Sequence, residues 1–158
     1  MLVFLIDENM TAKEIKKEID DILKPIKLFC KRWNVQIHTE GKNIMIDEVT
    51  AKIRELMMML RQQGDEKLQV RIDNFHRLEL ALDLFSRSLN HLNELEIELI
   101  YHVLLSDRTQ AELSEDEQLW LKFGIANIST TKVNTLYQEA CLNLLELIKY
   151  NQIKQGSQ

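Results

Sequence analysis

The chain reads as a mainly α-helical protein: a helical N-terminal unit with one small β-hairpin, a long central helix, and a C-terminal helix-turn-helix. Three observations predict this. Of the 158 residues only one is Pro and four are Gly, too few for a turn-rich, many-stranded fold. Leu, Ile, Glu, Lys, Gln and Met, mostly helix formers, dominate the composition. Apolar residues recur at spacings of three and four over most of the chain, the period of one buried helix face. The length suits one sizeable core or two small helical units, and the pattern divides at Gly64 into 1–64 and 65–158.

Each element follows from its own signals. Met1–Ile6 is a short apolar segment, suited to a strand or an extended arm. Thr11-x-x-Glu14 is a capping box that starts a helix with Ile15, Ile19, Ile22 and Leu23 on one face. Pro25 lacks an N–H and clashes with the preceding turn, so it ends or kinks this helix, and a second piece, Ile26–Trp33, follows. Val35–His38 and Ile44–Ile46 alternate about a Gly-containing loop, which predicts a short hairpin that needs helices packed on it. Asp47–Gln63 is helical, with Val49, Ile53, Leu56 and Leu60 as its stripe, until Gly64 breaks it.

Asp65–Leu92 carries the longest stripe: Leu68, Ile72, Phe75, Leu78, Leu82, Phe85, Leu89 and Leu92. The spacing is close to a heptad seam and suits pairing with another helix or with a second copy of itself. Asn93 caps a helix over Glu94–Leu105, and Ser106–Leu113 is a polar connector. Ser114-x-x-Glu117 is a further capping box, placing a helix over Ser114–Phe123. The last helix runs over Thr130–Asn151, and Gln152–Gln158 is a frayed polar tail.

The last helix carries the functional signal. Ser129 is placed to accept an unpaired backbone N–H at its start. Val133, Leu136, Ala140 and Leu144 mark its buried face, and Asn127 suits the left-handed residue of a tight turn before it. Thr130, Thr131, Lys132, Asn134, Thr135 and Gln138 fall largely off the buried face. They are hydrogen-bonding side chains on the half of a recognition helix that meets base edges in the major groove.

The order Ile128-Ser129, then Val133, Ala140 and Leu144, resembles the second helix of the helix-turn-helix in the promoter-reading region of bacterial sigma factors. The likeness covers roughly the last 45 residues. Leu5-Ile6-Asp7-Glu8-Asn9-Met10-Thr11, with the Lys/Glu-rich helix after it, resembles the opening of the ArpU-like (autolysin regulatory protein) family. Those proteins are small transcriptional regulators of phages and prophages in Gram-positive bacteria, and they too end in a sigma-like helix-turn-helix. The resemblance implies a cytoplasmic DNA-binding regulator with double-stranded DNA as its partner, and RNA polymerase or a host or phage protein as a further one. This chain departs from the pattern at Phe123, where a small residue is usual, and at Asn127, where Gly is usual.

Charge is uneven. Residues 1–64 carry eleven Lys/Arg against ten Asp/Glu, and residues 65–158 carry nine against fifteen. The expected reading helix has one cation near its start, Lys132, although phosphate contacts supply most DNA affinity. Lys24, Lys27, Lys31 and Arg32 beside Trp33 form the best phosphate-facing patch elsewhere. Glu112, Glu115, Asp116 and Glu117 complement a helix N-terminus or form an acidic docking surface. The alternative function is therefore a helical interaction module that acts through the acidic C-terminal half without touching DNA.

Other classes lack their signatures. His38, His76, His91 and His102 have no metal-ligand spacing, and Cys30 and Cys141 form no Cys-x-x-Cys. There is no nucleophile elbow, Walker motif or dinucleotide fingerprint. Glu94, Glu96 and Glu98 fan around a helix and read as a solvated face. The expectation is a non-enzymatic protein without cofactor or metal. No run reaches the ~20 apolar residues of a membrane span. Met1–Ile6 lacks the basic start of a signal peptide, so a cytoplasmic protein with reduced thiols is expected. The long stripe and the two half-sites of typical operators add the expectation of a homodimer.

Overall fold

The computed structural model describes residues 10–156, Lys42 excepted. Met1–Ile6 and most of the opening motif Leu5–Thr11 therefore lie outside the described residues. The fold is mainly α, with seven α-helices and one two-stranded sheet among the described residues. One hydrophobic core runs through residues on both sides of Gly64.

α1 (Ala12–Trp33) is capped by Thr11, whose hydroxyl accepts the Glu14 N–H at 3.2 Å. Of the two outcomes expected at Pro25, an end is excluded: one continuous helix runs through it to Trp33. The energetics explain this. An interior Pro costs about 3 kcal/mol, whereas each large apolar side chain fully buried returns about 1.5–3 kcal/mol. Ile19, Leu23, Ile26 and Phe29 are buried on both sides of an exposed Pro25, so a break there would uncover more than it relieved. Asn34 closes the helix in the left-handed conformation (φ 51°).

The hairpin pairs β1 (His38–Glu40) with β2 (Asn43–Met45), antiparallel, in the register His38↔Met45, Thr39↔Ile44 and Glu40↔Asn43. Pairing begins at His38, at the end of the expected first strand, while Val35 and Ile37 lead into it and are buried. Asn90 holds β2 on the helical core by accepting the Ile44 N–H at 3.1 Å. α2 (Asp47–Gln63) has the expected bounds and buries Val49, Ile53, Leu56, Met57 and Leu60. Gly64 ends it with φ 65°.

The long stripe is split into a 3₁₀ turn (Glu66–Leu68), α3 (Gln69–Leu89) and a turn that buries Leu92. Its seam is engaged within the chain: α3 packs against α2, α7 and α1, and Ile72, Leu82, Phe85 and Leu89 are buried. Phe75 meets Phe29 edge-on at 6.1 Å between ring centroids. The seam that suggested a second copy is thus mostly covered by the chain's own helices. Asn93 and Glu96 form a reciprocal capping box at the start of α4 (Glu94–Ile100), which continues as a π turn (Tyr101–Leu105).

α5 (Gln110–Ser114) and α6 (Glu117–Leu121) precede the longest helix, α7 (Thr130–Gly156). α7 continues beyond Asn151 through most of the expected tail, because Asn151 is still buried and donates to Ser88 Oγ at 2.9 Å. α7 packs against α1, α3, α4 and α5 and forms the centre of the bundle.

Pro25→Ala should raise stability by about 1–3 kcal/mol, the interior-Pro penalty reduced by the greater freedom of the unfolded chain. Urea denaturation reads this as a higher midpoint at unchanged slope. An unchanged or lower midpoint would mean that α1 does not bear the Pro25 penalty.

Candidate nucleic-acid interface

The segment that delivers the chain to α7 is built from three caps. Thr109 caps α5 by accepting the Glu112 N–H at 3.1 Å, and Asp116 caps α6 by accepting the Leu119 N–H at 3.2 Å. The expected helix over Ser114–Phe123 is therefore the shorter α6, and the expected connector Ser106–Leu113 already contains most of α5. Ser114 is not a cap. Its hydroxyl donates to the Ala111 carbonyl at 2.7 Å and meets the Thr130 hydroxyl at 3.1 Å, which fastens the end of α5 to the start of α7. Ser114 is the last residue of α5, so the chain first leaves the helix after it, and Asp116 is the residue placed to cap α6. Trp120 is buried, and its indole N–H donates to the Leu113 carbonyl at 2.6 Å.

Gly124 (φ 71°) and Asn127 (φ 55°) turn the chain through left-handed backbone. Ser129 then caps α7 as the sequence predicts, accepting the Lys132 N–H at 3.1 Å. Val133, Tyr137, Ala140, Cys141 and Leu144 are buried and Leu136 is half-buried. α7 packs on α5 as well as on α1, α3 and α4.

Thr130, Thr131, Lys132, Asn134, Thr135 and Gln138 are all exposed. Two of them are engaged locally: Thr130 with Ser114, and Thr135, whose hydroxyl donates to the Thr131 carbonyl at 3.1 Å. The side chains of Thr131, Asn134 and Gln138 make no hydrogen bond among the described residues, and Lys132 makes no ion pair there. Their spacing of three and four aligns Thr131, Asn134 and Gln138 in one stripe along α7.

A polar cluster behind this segment escaped the sequence reading. Glu98 is 7% exposed, which corrects the view of Glu94, Glu96 and Glu98 as a solvated face. It accepts from Lys122 Nζ at 2.7 Å and pairs with His102 Nε2 at 3.1 Å. Arg108 approaches His102 Nδ1 at 3.3 Å and Asp116 at 3.2 Å. A guanidinium only donates, so Nδ1 accepts and Nε2 carries the proton that is shared with Glu98. The His102 and Lys122 hydrogen bonds hold the Glu98 carboxyl below the usual carboxylate range. The same contact raises Lys122 above the usual lysine range. Glu96 is also committed, to the Asn93 cap and to Asn143 at 2.6 Å. The available signal was the i, i+4 pairing of Glu98 with His102.

The basic patch on α1 is only partly free. Lys27 pairs with Asp107 at 2.6 Å, and Arg32 lies over the Trp33 ring at 5.6 Å. Lys24 and Lys31 are exposed and make no ion pair among the described residues. Cys30 and Cys141 are free thiols, and burial pushes Cys141 up to about 11.

Glu98→Gln should cost about 1–3 kcal/mol near neutral pH, the value of hydrogen bonds to a charged group. A depressed carboxyl pKa stabilises the fold above the ordinary carboxylate range, and the effect fades as pH falls through the folded value. The melting temperatures of wild type and variant should therefore converge in acid. A gap that stays constant down to about pH 3 would show that the carboxylate charge is not what stabilises the cluster.

No family model, curated protein or solved structure matches the chain, so its own geometry carries the functional reading.

Proposed function

We propose that the chain is a DNA-binding transcriptional regulator of the ArpU-like phage and prophage type, and that it reads duplex DNA with the N-terminal half of α7. One observation carries the reading. All six polar residues on that half are exposed, while the residues between them are buried or half-buried, behind a left-handed Asn127 and a Ser129 cap. That is the arrangement of a recognition helix laid into a major groove. Thr131, Asn134 and Gln138, whose side chains make no hydrogen bond among the described residues, contact base edges. Thr130 and Thr135, with hydroxyls engaged locally, present their methyl groups and remaining lone pairs. Lys132 meets a phosphate. The protein acts as a homodimer, without cofactor, in the cytoplasm, and its action is non-covalent.

A second reading is favoured by one feature. Glu115 and Glu117 stand exposed and without an ion pair among the described residues, close to the start of α7, where they repel phosphates. In that reading the acidic C-terminal half binds a host or phage protein, and α7 does not touch DNA.

Salt-titrated binding to duplex DNA separates the two. For a DNA reader, affinity falls steeply with salt, and Lys132→Ala weakens all sequences alike and lowers the salt slope by about one. Asn134→Ala leaves the slope nearly unchanged and flattens the preference between sites by about 1–3 kcal/mol. Absence of salt-dependent binding at low ionic strength would remove the DNA reading and leave the interaction module.

A further inference from the structure

Between α6 and the turn into α7 lies an open groove of about 610 Å³. Trp120, Leu121, Ile125 and Ile128 form its apolar part, and Leu121 is 65% exposed. Glu115 and Glu117 form its rim. Their charge is not offset locally: the sequence from Thr109 to Leu121 contains no Lys or Arg, and the next cation, Lys122, is turned to Glu98 and Glu94. Asp116, between them, is held by Arg108 and by its own cap.

The same molecule carries a surface of opposite sign. On α1, Lys24, Leu28 and Lys31 follow one another at spacings of four and three, and so share one helix face. Leu28 is 58% exposed, and both lysines are exposed without an ion pair among the described residues. The Lys27–Asp107 bridge joins this helix to the loop that leads into α5.

We propose that the groove is occupied by α1 of a second copy of this chain, with Leu28 seated on Leu121 and Lys24 and Lys31 set against Glu115 and Glu117. The contact is reciprocal about a two-fold axis, each copy giving one α1 face and one groove, as a closed dimer requires. This inference rests on the homodimer in the reading above and supplies its surface. It does not depend on DNA contact. The long stripe of α3, already covered within the chain, takes no part.

Sedimentation equilibrium of the full chain tests it by charge exchange. Wild type should dimerise, and salt should weaken the dimer. Glu115→Lys with Glu117→Lys should raise the dimer dissociation constant at least about tenfold, and Lys24→Glu with Lys31→Glu should do the same. Joining all four changes in one chain restores opposite charges across the contact and should recover most of the loss. Leu121→Ser should weaken the dimer without altering its salt dependence. All these positions are exposed, and circular dichroism melts confirm that each variant folds. A monomer at high micromolar concentration overturns the proposal, as does a dimer that ignores the exchanges or is not rescued by the fourfold variant. A wild type that stays monomeric yet binds DNA would count against this surface and not against the reading helix. A wild-type dimer without salt-dependent DNA binding would count against the reading helix alone.

Discussion

The fold depends on a single constraint, the burial of one face of α7. Val133, Tyr137, Ala140, Cys141, Leu144, Leu145 and Ile148 are essentially inaccessible, and four helices close over them. At about 1.5–3 kcal/mol for each large side chain, this strip contributes on the order of 10 kcal/mol, comparable to the whole net stability of an ordinary domain. The strip therefore decides the rotation of α7 about its axis. The rotation in turn decides which side chains of the N-terminal half face outward. Tyr137 marks the cost of such tight closure: its hydroxyl is buried without a hydrogen-bond partner among the described residues, and burial pushes its phenol far above the usual range.

Rotation alone does not position the segment before α7, and polar contacts complete the task. Glu98 gathers Lys122 and His102, and Arg108 extends the chain of contacts to Asp116, so α4, the π turn and the α5–α6 corner share one cluster. Such a cluster is worth most when every member is satisfied, and here the imidazole serves as both donor and acceptor. The Ser114–Thr130 contact and the Trp120–Leu113 bond close the corner from the other side. Three short elements that could not hold their shape alone are thereby fixed relative to α7.

Two surfaces of different chemistry meet at the start of α7. Along the helix runs a neutral, hydrogen-bonding stripe with one cation. Beside it lies the groove with acidic rim and apolar floor. The stripe is neutral apart from Lys132, whereas Glu115 and Glu117 line the groove without a cation among its lining residues. On the proposed DNA reading, a helix with one cation of its own needs phosphate contacts from elsewhere, which is the physical argument for the proposed second copy.

The sequence by itself determined the elements whose signals are local. The helical class, the bounds of α2, the caps at Thr11, Asn93 and Ser129, the left-handed Asn127 and the exposed set from Thr130 to Gln138 all follow from periodicity and from side chains that bond their own backbone nearby. Tertiary structure decided what depends on distant partners. The apolar face of α1 carries the helix through Pro25 against local preference. The seam of α3 is spent on α2 and α7, which a heptad pattern cannot distinguish from pairing with a second copy. Asp116 rather than Ser114 starts α6, and the buried state of Glu98 depends on Lys122, 24 positions away, as well as on its neighbour His102. The reason is common to these cases: a local pattern states which face a residue occupies, whereas the energy of that face is set by what the rest of the chain brings to it.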